Sequence, residues 1–115
     1  YLAVVREELT RAIEELAQKE RAKVVVAYEP LWAIGKTADA AIAPNDLAEM
    51  VLYIRKVLAE LLPGKSSARS LILYGGSVEP TNARALAAAT GIDGLLVGHA
   101  SVDPVSFSLL VKQLS

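Results

Sequence analysis

Apolar positions in this 115-residue chain follow two rhythms that alternate from one end to the other. Over residues 2–20, Val5, Leu9, Ala12, Ile13 and Leu16 form one stripe, with Arg6, Glu7, Glu8, Arg11, Glu14 and Glu15 elsewhere, which is the spacing of an amphipathic helix. Lys23 then leads into Val24-Val25-Val26-Ala27-Tyr28, a short continuous run rich in β-branched residues. Apolarity that does not alternate predicts a parallel strand covered on both faces. A loop runs through Pro44. Asn45 or Asp46 is placed to cap a second helix, whose wide apolar face is Leu47, Met50, Val51, Ile54, Val57, Leu58 and Leu61. Pro63-Gly64 stops that helix.

The same alternation continues. Leu71-Ile72-Leu73-Tyr74 reads as a second strand ended by Gly75-Gly76, and Pro80 opens a third helix that runs to about Ala89 before Gly91. Gly94-Leu95-Leu96-Val97 is a third strand ended by Gly98, and Asp103-Pro104 opens a last helix with Val105, Leu109, Leu110 and Leu114. The order is α-β-α-β-α-β-α, one domain over residues 1–115. Strands alternating with helices imply right-handed crossovers and a parallel sheet. Three strands leave two open edges, so the chain reads as a piece of a larger sheet. It begins with Tyr1 inside a helical pattern rather than with Met, which predicts a fragment or the product of a truncated gene.

Composition narrows the function classes. Hydrophobic residues make up 53% of the chain and the mean hydropathy is +0.36, so a partner is expected to cover part of the surface. A net charge of -1 with scattered lysines and arginines lacks the basic footprint of a nucleic-acid binder or a polybasic membrane anchor. The absence of cysteine excludes disulfides and thiolate metal sites. One histidine and dispersed carboxylates make no metal-ligand cluster. No apolar run approaches the roughly 18 residues of a membrane span, and no signal-peptide pattern opens the chain. A cytoplasmic location is expected.

Chemistry concentrates in the three loops that follow the strands: Glu29 to Gly35, Gly75-Gly76-Ser77, and Gly98-His99-Ala100-Ser101. In parallel α/β folds these loops share the face where ligands bind. Glycines let backbone N–H groups approach a ligand closely, and with a helix amino terminus they suit a phosphate. Glu29 beside that face is a candidate general base, since burial raises a carboxyl's pKa toward the working range. Each part has a plainer reading as well. Gly75-Gly76-Ser77 is also an ordinary strand-to-helix turn, Trp32 also a packing residue, His99 also an exposed loop histidine, and Lys36 also a solvated charge. Glu7 and Arg11 form a helix-face pair.

In combination and in this order, "AYEPLWAIG", "LYGGSV" and "GLLVGHAS" closely resemble the carboxyl-terminal part of the triosephosphate isomerase family, over almost the whole chain. The resemblance implies the last three strands of a (β/α)8 barrel with the helices around them, a partial TIM barrel. By resemblance, Glu29 matches the base that moves a proton between the two carbons of dihydroxyacetone phosphate and glyceraldehyde 3-phosphate. Pro30 to about Ala38, with Trp32 and Ile34, matches the lid over the substrate. Gly35, Ser77, Gly98 and His99 match the groups that bind the phosphate. Leu96 matches an apolar residue that packs near the base, and Tyr74 a tyrosine that latches the lid. No cofactor is implied, because proton transfer beside a carbonyl needs only a base and an electrophile.

The chain departs from the family pattern in three places. Gly35 runs directly into Lys36-Thr37 without the usual Thr-Gly pair, and extra residues follow at Asp39 to Ala43. His99 stands where a glycine is usual. The family's lysine and electrophilic histidine belong to the first half of the barrel, which has no counterpart here. Two readings follow. One is a truncated isomerase with its base and phosphate cradle, poorly active or inactive alone and acting on a small phosphorylated triose. The other is a non-catalytic half-barrel that oligomerises and at most holds a phosphate or sulfate ion. In both, open sheet edges predict a homo-oligomer.

Overall fold

The computed structural model describes residues 2–30, 42–89 and 91–115 of the chain. Three short strands frame it: β1 (Val26–Tyr28), β2 (Ile72–Gly75) and β3 (Gly94–Leu96). They pair in the order β1-β2-β3, all parallel. Val26 lies opposite Ile72, Tyr28 opposite Tyr74, Tyr74 opposite Leu95 and Gly75 opposite Leu96. This is the alternating α/β sheet the sequence predicts, with β1 starting two residues later, β3 ending one residue earlier, and β2 shifted by one so that it includes Gly75.

Helices cover one face of the sheet. The longest, α3 (Pro44–Leu61), supplies the middle of the core with Leu47, Met50, Val51, Ile54, Val57 and Leu58, all buried. Ile54 and Leu58 pack in one cluster with Ile72 and Tyr74 from β2, Ile13 from α1 (Leu2–Glu14), Leu86 from α5 (Ala83–Ala87) and Leu110 from α6 (Pro104–Gln113). Fully burying such aliphatic side chains contributes about 1.5–3 kcal/mol each. Of the expected stripe on α3, only Leu61 stays partly exposed.

Among the described residues nothing covers the other face of the sheet, which differs from the expectation of strands covered on both sides. Val26, Tyr28, Ile72 and Tyr74 point into the helical layer, so their neighbours point away from it. Val25, Leu71 and Leu96 are accordingly 55%, 49% and 37% exposed. The continuous apolar runs thus carry an apolar set for each face, and only one set is buried.

Local polar contacts explain the remaining differences. The helix expected over residues 2–20 ends at Glu14, and a separate turn, α2 (Gln18–Arg21), follows. Leu16 N–H closes back on the Ile13 carbonyl at 3.0 Å. The Arg21 guanidinium donates to the carbonyls of Leu16 and Glu14, which the helix end leaves without intrahelical partners. Helix α3 begins one residue before the expected cap: Ala43 is the cap residue and Pro44 the first helical residue, where a missing N–H costs nothing. Asn45 and Asp46 lie inside the first turn. Gly64, with φ of 56°, follows α3, and a short helix that sequence reading missed, α4 (Ser66–Arg69), comes next. The third helix shrinks to α5, because Asn82 folds the chain before it into a turn: its amide donates to the Ser77 carbonyl and its side-chain oxygen accepts the Glu79 N–H. Asp103 caps α6 as its position suggests, accepting the Val105 N–H and the Ser106 hydroxyl. The Glu7–Arg11 pair forms at 2.9 Å. Among the described residues, no helix is long and apolar enough to cross a membrane.

Candidate active site at the strand ends

Parallel polarity brings the carboxyl ends of all three strands to one end of the sheet. Glu29 follows the last residue of β1, Gly76 and Ser77 follow β2, and Gly98 with the 3-10 turn His99–Ser101 follows β3. Glu29, Ser77, Gly98 and His99 therefore share that end, as the pattern of strands and loops predicts. Gly35, Trp32 and Ile34, with Lys36, lie outside the described residues.

Glu29 leaves β1 on the open face of the sheet, and Pro30 beside it is buried. One step beyond the Tyr28–Tyr74 pair, Glu29 falls next to Gly75, which in turn lies opposite Leu96. The three make a row across the sheet. A Cβ placed on Gly75 would lie 2.7 Å from Glu29 Cγ and 3.0 Å from its Oε1, so the glutamate lies directly over the glycine. Glu29 is exposed, and Leu96 is more than a third exposed. The burial expected around the base is therefore missing here, because among the described residues no second wall faces this side of the sheet.

The two other loops are internally braced. Ser77 is buried, and its carbonyl accepts the Asn82 side-chain amide at 2.6 Å. Val78 N–H turns back to the Gly76 carbonyl. The Gly98 carbonyl accepts both the Ser101 N–H at 3.0 Å and the Ser101 hydroxyl at 2.6 Å, which fixes the turn that holds His99. His99 is exposed, and positive φ in the described chain is confined to Gly64 and Gly91, so its backbone is of a kind any residue adopts. Nothing lies within 4 Å of a Cβ built on Gly98. The space needed at Gly75 and the space left at Gly98 thus have different reasons.

Tyr74 sits on the opposite face from Glu29, fully buried, with its ring 6.4 Å from that of Tyr28. Its hydroxyl accepts the Ile42 N–H at 3.3 Å. Burial pushes the Tyr74 pKa up, and the bond from Ile42 partly opposes the shift. A hollow of about 370 Å³ runs beside β1, lined by Val5, Leu9, Ala12, Val26, Glu29 and Pro30. The larger hollow, about 840 Å³, lies on the outer side of α3 beside Leu52, Tyr53 and Lys56 and includes none of the strand-end residues.

The family model for triosephosphate isomerase matches residues 1–114. The chain belongs to the triosephosphate isomerase family. It is similar to the triosephosphate isomerase of Moorella thermoacetica, with 46% identity over 113 residues, 96% of this chain and 43% of that protein. Similarity to the Solibacter usitatus triosephosphate isomerase is also 46% over 113 residues, again 96% and 43%. The Symbiobacterium thermophilum triosephosphate isomerase is 43% identical over 108 residues, 94% of this chain and 41% of that protein. The chain thus spans about two fifths of the length of the curated relatives it matches. Its three-stranded open sheet is a partial triosephosphate isomerase barrel. Gly75, between Glu29 and Leu96 in that row, is the residue that sequence reading missed: a glycine after a strand looks the same whether it makes a turn or makes room for a neighbour.

Proposed function

We propose that this chain carries the proton-transfer base and the phosphate cradle of a triosephosphate isomerase. The reading rests on one observation: Glu29, Ser77 and Gly98-His99 share one end of a parallel sheet in a chain of this family. In that role the Glu29 carboxylate removes a proton from the carbon beside the carbonyl of a triose phosphate and returns it to the neighbouring carbon. Ser77, Gly98 and His99, with Gly35, hold the phosphate. Leu96 lies in the same row as the base and is placed to shield it once the open face is covered.

An enediolate formed this way needs hydrogen-bond donors at its oxygen. Removing one such donor costs about 3–4 kcal/mol of transition-state stabilisation. The sole histidine, His99, belongs to the phosphate side, so the electrophile has to come from chain outside these 115 residues. Isolated, the chain is a poor or inactive isomerase. The test is an isomerase assay on the chain alone and on the chain mixed with the amino-terminal part of a triosephosphate isomerase. The mixture gains activity that Glu29→Gln abolishes; strong turnover by the chain alone would contradict the proposal.

The second reading, an oligomerising half-barrel, is favoured by the apolar open face at Val25, Leu71 and Leu96. A mixture that stays silent while the chain self-associates would support it over the first.

A further inference from the structure

We propose that Gly75 is the positioning residue for the Glu29 carboxylate: the side chain absent at 75 is the space in which the glutamate lies. The inference builds on the proposed role of Glu29 as base. Backbone conformation does not account for a glycine here, because Gly64 and Gly91 are the only glycines with positive φ among the described residues. What occupies the place of the missing Cβ is Glu29 itself, with Cγ at 2.7 Å, Oε1 at 3.0 Å and Cδ at 3.1 Å. Separations under about 3 Å between carbons are shorter than any favourable packing distance, so the two side chains exclude each other.

The atom that clashes first decides what an alanine would do. Cγ is the first atom beyond Cβ, and turning the carboxylate about its own bond leaves Cγ where it is. It moves by rotation about χ1, and because a twist of about 30° inside the starting well costs about 0.5–1.5 kcal/mol, another staggered well is favoured. That rotation swings the carboxylate to a different side of the strand, so the alanine re-aims the base rather than nudging it. Glu29 is exposed, and other rotamers are open to it without unpacking the core. The substitution is therefore a change of aim in a fold that survives.

The experiment uses the chain as it is, with nuclear magnetic resonance reading the Glu29 χ1 rotamer from three-bond couplings. Expected are contacts between the Glu29 γ-protons and the Gly75 α-protons. In Gly75→Ala these contacts are lost and the rotamer changes, while Tyr28–Tyr74 contacts persist. An unchanged Glu29 rotamer in Gly75→Ala, or no Glu29–Gly75 contact in the parent chain, would overturn the proposal. Should Gly75→Ala not fold, recovery of folding in the Glu29→Ala/Gly75→Ala double variant supports it and failure to recover refutes it.

Activity separates this inference from the reading beneath it. In the complemented mixture, Gly75→Ala is expected to lower kcat about 100-fold, the cost of a misplaced catalytic group, with KM little changed. If Glu29→Gln abolishes activity but Gly75→Ala leaves kcat intact, positioning by Gly75 is wrong and the base assignment stands. If Glu29→Gln changes nothing, the base assignment is wrong, and the rotamer measurement alone decides about Gly75.

Discussion

The Tyr74 hydroxyl accepts the Ile42 N–H at 3.3 Å, joining the middle strand to the chain just before α3. Both residues are buried. Tyr74→Phe keeps the ring and removes the acceptor, so the Ile42 N–H is left buried without this partner. The expected loss of unfolding free energy is about 1–3 kcal/mol, the cost of orphaning a buried donor. Urea denaturation of the two proteins measures it, and an unchanged midpoint would show that the bond contributes nothing net.

The same residue gives a pH dependence. Burial raises the Tyr74 pKa in the folded state above its ordinary value of 10.0. The folded chain then holds the phenol proton more tightly than the unfolded chain. This contribution to stability is complete below the unfolded pKa, and it is lost as pH rises through the folded pKa. The stability advantage of the parent chain over Tyr74→Phe is therefore expected to hold at neutral pH and to shrink above about pH 10. Parallel stability curves for the two proteins from neutral to strongly alkaline pH would rule this out.

A second cross-chain tie predicts a comparable effect. Arg55 on α3 donates to the carbonyls of Ser67 and Ser70 and to Asp93 Oδ2 at 3.4 Å, and the same carboxylate oxygen accepts the Ile72 N–H at 2.8 Å. One guanidinium thus joins the longest helix, the α4 turn and the entry to β2 and β3. Arg55→Ala is expected to cost about 1.5–3 kcal/mol, the range for hydrogen bonds to charged groups. Arg55→Lys should recover only part of it, because a single ammonium cannot reach acceptors spread around a planar fork. Thermal unfolding of the three proteins orders them; a lysine variant equal to the parent would show that charge alone, not geometry, holds this corner.

These two ties mark where sequence reading stops. The strands and the buried face of α3 were legible, because Val24 to Tyr28 and Leu47 to Leu61 carry their pattern in adjacent residues. The grouping of Glu29, Ser77, Gly98 and His99 was legible too, because parallel strands bring their ends together whatever their lengths. The break after Glu14 was not, since it depends on Arg21 reaching back to two carbonyls. Nor was α4, which carries no apolar stripe and is held by Arg55 from another helix. The exposure of Glu29 depends on what lies over the open face, and no local run of residues sets that.

The open face itself supplies the last prediction. Val25, Leu71 and Leu96 present apolar surface there, and α6 adds exposed Val105, Phe107, Leu109 and Val111. The half-exposed sheet residues are each worth about 1 kcal/mol when covered. Two facing copies cover six of them, about 6 kcal/mol in all. Association costs an estimated 4–15 kcal/mol in lost freedom and micromolar affinity needs about 8 kcal/mol net, so the sheet face alone falls short. Self-association at micromolar concentration therefore needs the face together with the outer strand edges or the α6 surface. Sedimentation is expected to show the parent chain associating. Val25→Lys/Leu71→Lys should weaken association at least 10-fold, with unfolding free energy within about 0.5 kcal/mol of the parent, as for exposed positions. Val105→Ser/Leu109→Ser on α6 should weaken it by a similar factor if both surfaces meet in one interface. A response to the sheet variants alone would instead assign the contact to the strands, and a parent chain that stays monomeric would remove the oligomer altogether.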